Sequence, residues 1–209
     1  MKMKNSQAKN YLKFYEKSPG REIFRKELKI IESRLGDCKH LLSVGCGPAV
    51  FEGKLKALHD EMEIVGLDAS REMLELAPES INMVYGDAQN MGFNDETFDC
   101  ILYLTSLEFI DDYKKAIKES KRVIKRNGKI LVMMLNPASD YFAEKYSNKD
   151  SYIRKNIKHK DVKAIRDYIA SCFSIKSEGY YLGIKDGKVY DTSDPKEASL
   201  YVVEAIKNG

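Results

Sequence analysis

The chain has 209 residues, 43% hydrophobic and 32% charged, with a formal net charge of +3. That length supports one packed domain with a sizeable core, the apolar runs are too short for a membrane span, and the positive balance is too mild to argue for a nucleic-acid partner. The four cysteines, at 38, 46, 100 and 172, show no C-x-x-C spacing, so no zinc or other metal site is expected; the opening residues 1–7 lack the apolar core of a secretion signal, so a cytoplasmic protein is expected.

Residues 5–17 and 20–35 read as two helices separated by Ser18-Pro19-Gly20. The first carries Tyr11, Phe14 and Tyr15 at i, i+3, i+4, a stripe that either faces a core or forms an aromatic lid. An apolar strand at 39–44 runs into Gly45-Cys46-Gly47, and a helix follows at 49–59. A second strand, 62–67, ends in Asp68 before a helix at 70–77, and a third, 81–85, ends in Gly86-Asp87-Ala88. Then come strand 98–104, helix 111–126 with Asp111 as its cap and Gly128 just past its end, and strand 128–134. Lys114, Lys115, Lys118, Lys121, Arg122, Lys125 and Arg126 line one side of that helix, read as a solvated basic face with an RNA or acidic-partner surface as the alternative. This strand–helix alternation predicts a doubly wound, mostly parallel sheet with ligand contacts at the C-terminal strand ends. Beyond Leu135, Asn136-Pro137-Ala138-Ser139 breaks the pattern and a polar, aromatic stretch runs to Lys158. A helix at 160–171 and strand-like runs at 173–184 and 198–206 complete the chain, with a hairpin signal at Lys185-Asp186-Gly187-Lys188.

The glycine turn after the first strand and the acid ending the second suit an adenosine-containing ligand. Glycines let backbone approach the ligand, and Asp68 can accept from both ribose hydroxyls. A dinucleotide site would want a third glycine at position 50, where this chain has Val50, and Pro48 removes an N–H from the anion-binding turn. A ligand with adenosine but no pyrophosphate fits better. Asp87 can accept from the exocyclic amine of adenine.

Gly45-x-Gly47, Gly66-Leu67-Asp68-Ala69-Ser70-x-x-Met73-Leu74, Gly86-Asp87-Ala88, Phe98-Asp99, Ser106-Leu107-Glu108-Phe109-Ile110 and Gly128-Lys129-Ile130-Leu131-Val132 resemble, in order, the motifs of class I S-adenosylmethionine-dependent methyltransferases, nearest the small-molecule, ubiquinone-biosynthesis-like branch. The resemblance covers roughly residues 38–135. It implies a Rossmann-like, doubly wound α/β fold with a seven-stranded, mostly parallel sheet, an antiparallel strand at the C-terminal edge and an N-terminal helical lid. The domain plan is one methyltransferase domain: lid 1–36, cofactor core 37–135, substrate cap 136–158, C-terminal helix and edge strands 159–209. Tyr11 through Glu27, including Gly20-Arg21, resembles the pocket-closing N-terminal region of that subgroup, and Arg21 is either a carboxylate ligand or a surface residue.

The expected S-adenosyl-L-methionine contacts are Gly45, Cys46, Gly47, Asp68, Ala69, Asp87, Ala88, Leu104 and Ser106. Tyr103, Glu108, Asn136, Ser139 and Tyr141 are expected to meet a small-molecule acceptor. A sulfonium methyl is already activated, so alignment can replace a fixed catalytic group; Tyr11, Tyr15 and Glu108 are the candidates if one exists. Two departures stand out: Ser43 where the family often has an acid, and Phe109 where many members carry histidine. A monomer or homodimer is expected. Competing readings are a non-catalytic binder of the same cofactor, a methyltransferase of RNA or protein, and a nicotinamide-dependent oxidoreductase.

Overall fold

The structure, a computed structural model, describes residues 5–35 and 37–208; the reading of residues 1–4 lies outside that range. Two helices, α1 (Asn5–Glu16) and α2 (Gly20–Leu35), precede the sheet. The chain then alternates β1 (His40–Val44), α3 (Val50–Leu58), β2 (Glu63–Asp68), the single turn α4 (Arg71–Leu74), β3 (Asn82–Tyr85), β4 (Phe98–Leu104), α5 (Tyr113–Val123) and β5 (Ile124–Leu135). A short cap of α6 (Asp140–Ser147) and α7 (Tyr152–Asn156) follows, then α8 (Val162–Cys172), β6 (Ser174–Lys185), β7 (Lys188–Tyr190) and β8 (Ala198–Ile206).

The strands form one sheet in the order β3-β2-β1-β4-β5-β8-β6-β7. The first five are parallel, and β8 runs antiparallel between β5 and β6. The sheet therefore has eight strands rather than seven. The extra one is β7, which folds back on β6 through Asp186 (φ 49°) and Gly187 (φ 73°), a tight turn with both central residues left-handed.

Side-chain alternation along the central strands builds two cores, one on each face. Leu42, Val44, Ile101, Tyr103, Ile130 and Val132 pack with Ile117 of α5 and Ile165 and Ile169 of α8. Leu41, Cys100, Leu102, Leu131 and Met133 pack on the other side with Ile31 and Leu35 of α2 and Leu55 of α3. Among the described residues, no helix is long and apolar enough to cross a membrane.

Three boundaries differ from expectation. The cap of α5 is Asp112, whose carboxylate accepts from Lys115 N–H at 3.1 Å, not Asp111. That helix stops at Val123 because the carbonyls of Arg122 and Val123 accept from Glu96 and Thr97 N–H, which turns the backbone into the sheet. Gly128 is thus no helix cap; it lies in the bulge where β5 loops past β4, and a Cβ there would sit 2.8 Å from the Asp99 carbonyl. The helix expected at 70–77 is only the turn Arg71–Leu74.

Candidate functional site

The chain order reverses between β1 and β4: β2 and β3 lie to one side of β1, and β4 and β5 to the other. Loops leaving neighbouring strands in opposite directions open a crevice there, at the C-terminal strand ends. A cavity of about 700 Å³ occupies it, walled by the β1, β2, β3 and β4 loops, the α1–α2 pair and the cap helices.

Its left wall is backbone. Gly45 and Gly47 take φ of 68° and 57°. A Cβ on Gly45 would lie 2.6 Å from Ser106 Cβ, so the β1 and β4 loops touch because residue 45 has no side chain. A Cβ on Gly47 would meet nothing within 4 Å; this glycine presents open backbone to the cavity. The carboxylate of Asp68 ties the two strand ends together, accepting Gly47 N–H at one oxygen and Ser70 N–H at the other, both at 2.8 Å. Burial pushes its pKa above the usual carboxylate range, and the backbone N–H donors oppose that shift. Two donors leave lone pairs on both oxygens for hydroxyls of a ligand. Ala69, Asp87 and Ala88 line the same wall. Asp87 holds the backbone and side-chain amides of Gln89, whose carbonyl accepts Asp112 N–H at 3.0 Å.

Val50 opens α3 directly, and the turn before it is completed by Ala49 at φ 52°, ψ 40°. Cys46 contributes backbone to the loop but turns its thiol away: Gly66 leaves room for it, since a Cβ there would lie 2.8 Å from the sulfur. Ser43, the position where an acid was absent, donates to Glu52 of α3 at 2.5 Å. A buried carboxyl therefore reaches the end of β1 from the helix instead of the strand, with its pKa pushed up to about 7 by desolvation.

The right wall is side chains. Leu104 and Ser106 line it, and the Ser106 hydroxyl is spent on the Val44 carbonyl at 2.6 Å. Phe109 faces the cavity and packs its ring 5.4 Å from that of Tyr152 in α7. Tyr141 of α6 also faces in, whereas Phe142 stacks on Tyr146 as the cap's own small core. From α1 come Tyr11, Phe14 and Tyr15; the Tyr11 and Tyr15 rings meet edge-on at 5.2 Å.

Four expected acceptor residues are elsewhere. Tyr103 is fully buried beneath α5, its hydroxyl bonded to Ser120 at 2.7 Å, because strand alternation puts it on the face opposite Leu104. Asn136 is 1% exposed and spends its amide on the carbonyls of Pro195 and Ala198, joining the end of β5 to the start of β8. Ser139 caps α6 through Phe142 N–H. Glu108 is buried behind the wall, where one oxygen accepts Leu135 N–H at 2.9 Å and the other has no partner; desolvation raises its pKa to about 7. Arg21 is exposed and bonds the Glu16 carbonyl. His40 pairs with Asp99 at the opposite end of the sheet, His59 lies beside Glu32, and His159 packs on Tyr113.

The residue that sequence reasoning missed is Glu27 of α2, 6% exposed and lining the cavity. A signal existed: Ile23, Glu27 and Ile31 fall at i, i+4, i+8, so one carboxyl interrupts an otherwise apolar stripe.

A parallel sheet with an antiparallel strand inserted before its last long one, and a glycine turn bonded to an acid at the switch point, is the fold that the resemblance to class I S-adenosylmethionine-dependent methyltransferases implied. Residues 42–132 match the family described as methyltransferase domain. A SAM-dependent methyltransferase of Thermotoga maritima, named as a possible histamine N-methyltransferase, superposes with a TM-score of 0.80 over 98% of this chain and 97% of its own, at 22% identity. A SAM-dependent methyltransferase of Archaeoglobus fulgidus does so with a TM-score of 0.75 over 94% and 99%, at 17% identity. At those identities the likeness carries the fold and nothing of the acceptor. The demethylmenaquinone methyltransferase of Thermotoga maritima is 35% identical over 99 residues, 46% of this chain and 42% of that protein. The chain spans about half the length of the curated relatives it matches.

Proposed function

We propose that the chain transfers a methyl group from S-adenosyl-L-methionine to a small-molecule acceptor. The observation that carries this reading is Asp68, held at the end of β2 by Gly47 and Ser70 N–H within the same cavity as the open backbone of Gly47. Asp68 is placed to accept both ribose hydroxyls, Asp87 and Ala88 to border the adenine, and Gly45-Cys46-Gly47 to pass the chain of the donor. Pro48 and Val50 leave a poor seat for a pyrophosphate, which disfavours a nicotinamide dinucleotide. When bound, the donor supplies a methyl carbon already activated on a sulfonium. The protein then has to align the acceptor and exclude water; Tyr11 and Tyr15 overhead and Phe109 and Tyr152 at the side do both. A small acceptor is supported by the limited size of the cavity, about 700 Å³, and by the relatives named demethylmenaquinone methyltransferases.

Calorimetric titration with S-adenosylhomocysteine tests the reading, with Asp68→Ala and Asp68→Asn alongside and NAD⁺ as control. Wild type should bind S-adenosylhomocysteine with micromolar affinity and ignore NAD⁺. Asp68→Ala should weaken binding by about a hundredfold, the loss of two hydrogen bonds to a charged group, and Asp68→Asn by less. Folded wild type that does not bind, or an alanine variant that binds equally well while keeping its melting temperature, would overturn it.

A further inference from the structure

We propose that Glu27 is the acceptor-binding carboxylate, receiving the amino group of a small basic amine that is the methyl acceptor. The inference rests on the methyltransferase reading and adds the acceptor's chemistry to it.

Glu27 lines the cavity from α2, its carboxyl open to that cavity, and no described residue gives it an ion pair or a hydrogen bond. The nearby cations are committed elsewhere. Lys26 pairs with Asp191, Arg25 with Glu22, and at the rim Lys155 pairs with Asp150 and Lys158 with Asp111. The cavity's other acids are satisfied from within the protein, Asp68 by Gly47 and Ser70 and Asp87 by Gln89. Among the described acids of the cavity, Glu27 alone has no partner within the protein. An uncompensated carboxylate so buried is costly, and its pKa rises to about 8 by desolvation alone. Its surroundings suit a cation. Tyr11 and Tyr15 of α1 and Tyr141 of α6 stand close enough for its field to reach their phenols, all of which burial keeps protonated. Their ring faces attract an ammonium and their oxygens can accept from it.

Position separates this carboxyl from the donor groups. Helix α2 packs on β5 and β6, whereas Asp68 and Asp87 end β2 and follow β3, across β1. On this proposal the Glu27 carboxyl faces the half of the cavity that receives the methyl group.

The chemistry balances. The amine enters as an ammonium and gives one proton to the Glu27 carboxylate. Its freed lone pair forms the N–C bond to the methyl carbon while the C–S pair leaves onto sulfur. The products are a methylated ammonium and the neutral thioether S-adenosylhomocysteine, and the proton leaves Glu27 to solvent.

The test uses the full chain saturated with S-adenosylhomocysteine, probed by ligand-observed NMR and calorimetry. The probes are monoamines each matched to its alcohol: 2-phenylethylamine with 2-phenylethanol, and hexylamine with hexanol. Amines should bind about tenfold or more tighter than their alcohols, the scale of one desolvated charge pair. Binding near neutral pH should release a proton, read from titrations in buffers of different ionisation enthalpy. Glu27→Gln should remove both the preference and the proton release while keeping its affinity for S-adenosylhomocysteine. Because it deletes an unpaired buried charge, it should melt no lower than wild type. Equal binding of alcohols, no amine binding, or a preference that survives in Glu27→Gln overturns the proposal, as does a variant that loses S-adenosylhomocysteine, which would place the carboxyl on the donor. Failure of wild type to bind S-adenosylhomocysteine at all would instead sink the methyltransferase reading.

Discussion

The two walls of the cavity are built on different principles. The wall over β1, β2 and β3 is mostly backbone: glycines at positive φ, N–H groups and one acid that stitches two strand ends together. Every part lies within a few residues of a strand terminus. The wall over β4, β5 and β8 is assembled from side chains at residues 27, 109, 141, 152 and 200, drawn from five separate elements. The family match ends at Val132, before most of that wall begins. The backbone-built wall thus lies inside the matched segment, and the side-chain-built wall lies mostly outside it.

If that contrast holds, changes in the first wall strike folding and binding together. Gly45→Ala should cost about 3 kcal/mol, combining a left-handed φ with overpacking against Ser106, and a denaturant melt should show it. Gly47→Ala, with open space around its Cβ, should cost only about 1 kcal/mol of strain yet still impair S-adenosylhomocysteine binding. Equal stability losses at both glycines would break the distinction between loop contact and ligand contact.

A middle-sized effect concerns pH. Glu27, Glu52 and Glu108 have folded pKa values raised to about 8, 7 and 7 from 4.5. Between those limits the folded state holds more protons than the unfolded one, so stability falls as pH rises. The melting temperature should therefore drop by several degrees between about pH 5.5 and pH 8.5. Glu27→Gln should flatten part of that slope, and a slope of opposite sign would show these carboxyls to be paired. The smallest effect is expected at Tyr152→Ala. This side chain is 43% exposed, so its loss should cost less than about 1 kcal/mol while changing which acceptors bind.

The same contrast explains what could be read from the residues. Apolar runs ending in glycine or acid located β1, β2 and β3, and the spacing from Gly45 to Asp68 marked the two loops that the fold then joins through a hydrogen bond. Period-two alternation also held the answer for Tyr103, whose neighbour Leu104 takes the cavity side. Asn136 was opaque because its partners, Pro195 and Ala198, lie about sixty residues onward. The end of α5 was equally hidden: helical spacing continues past Val123, but pairing with residues 96 and 97 overrides it. Glu27 was visible as an irregularity in a stripe, and only the fold showed that the stripe borders a cavity.

The helix pair before the sheet touches both walls. Tyr11 of α1 packs on Met73 beside the β2 loop, while α2 lies along β5 and β6. Any ligand that settles this pair from one side has already met part of the ordering cost for a ligand arriving on the other. Such coupling is reciprocal: the factor by which a donor tightens an acceptor is the factor by which the acceptor tightens the donor.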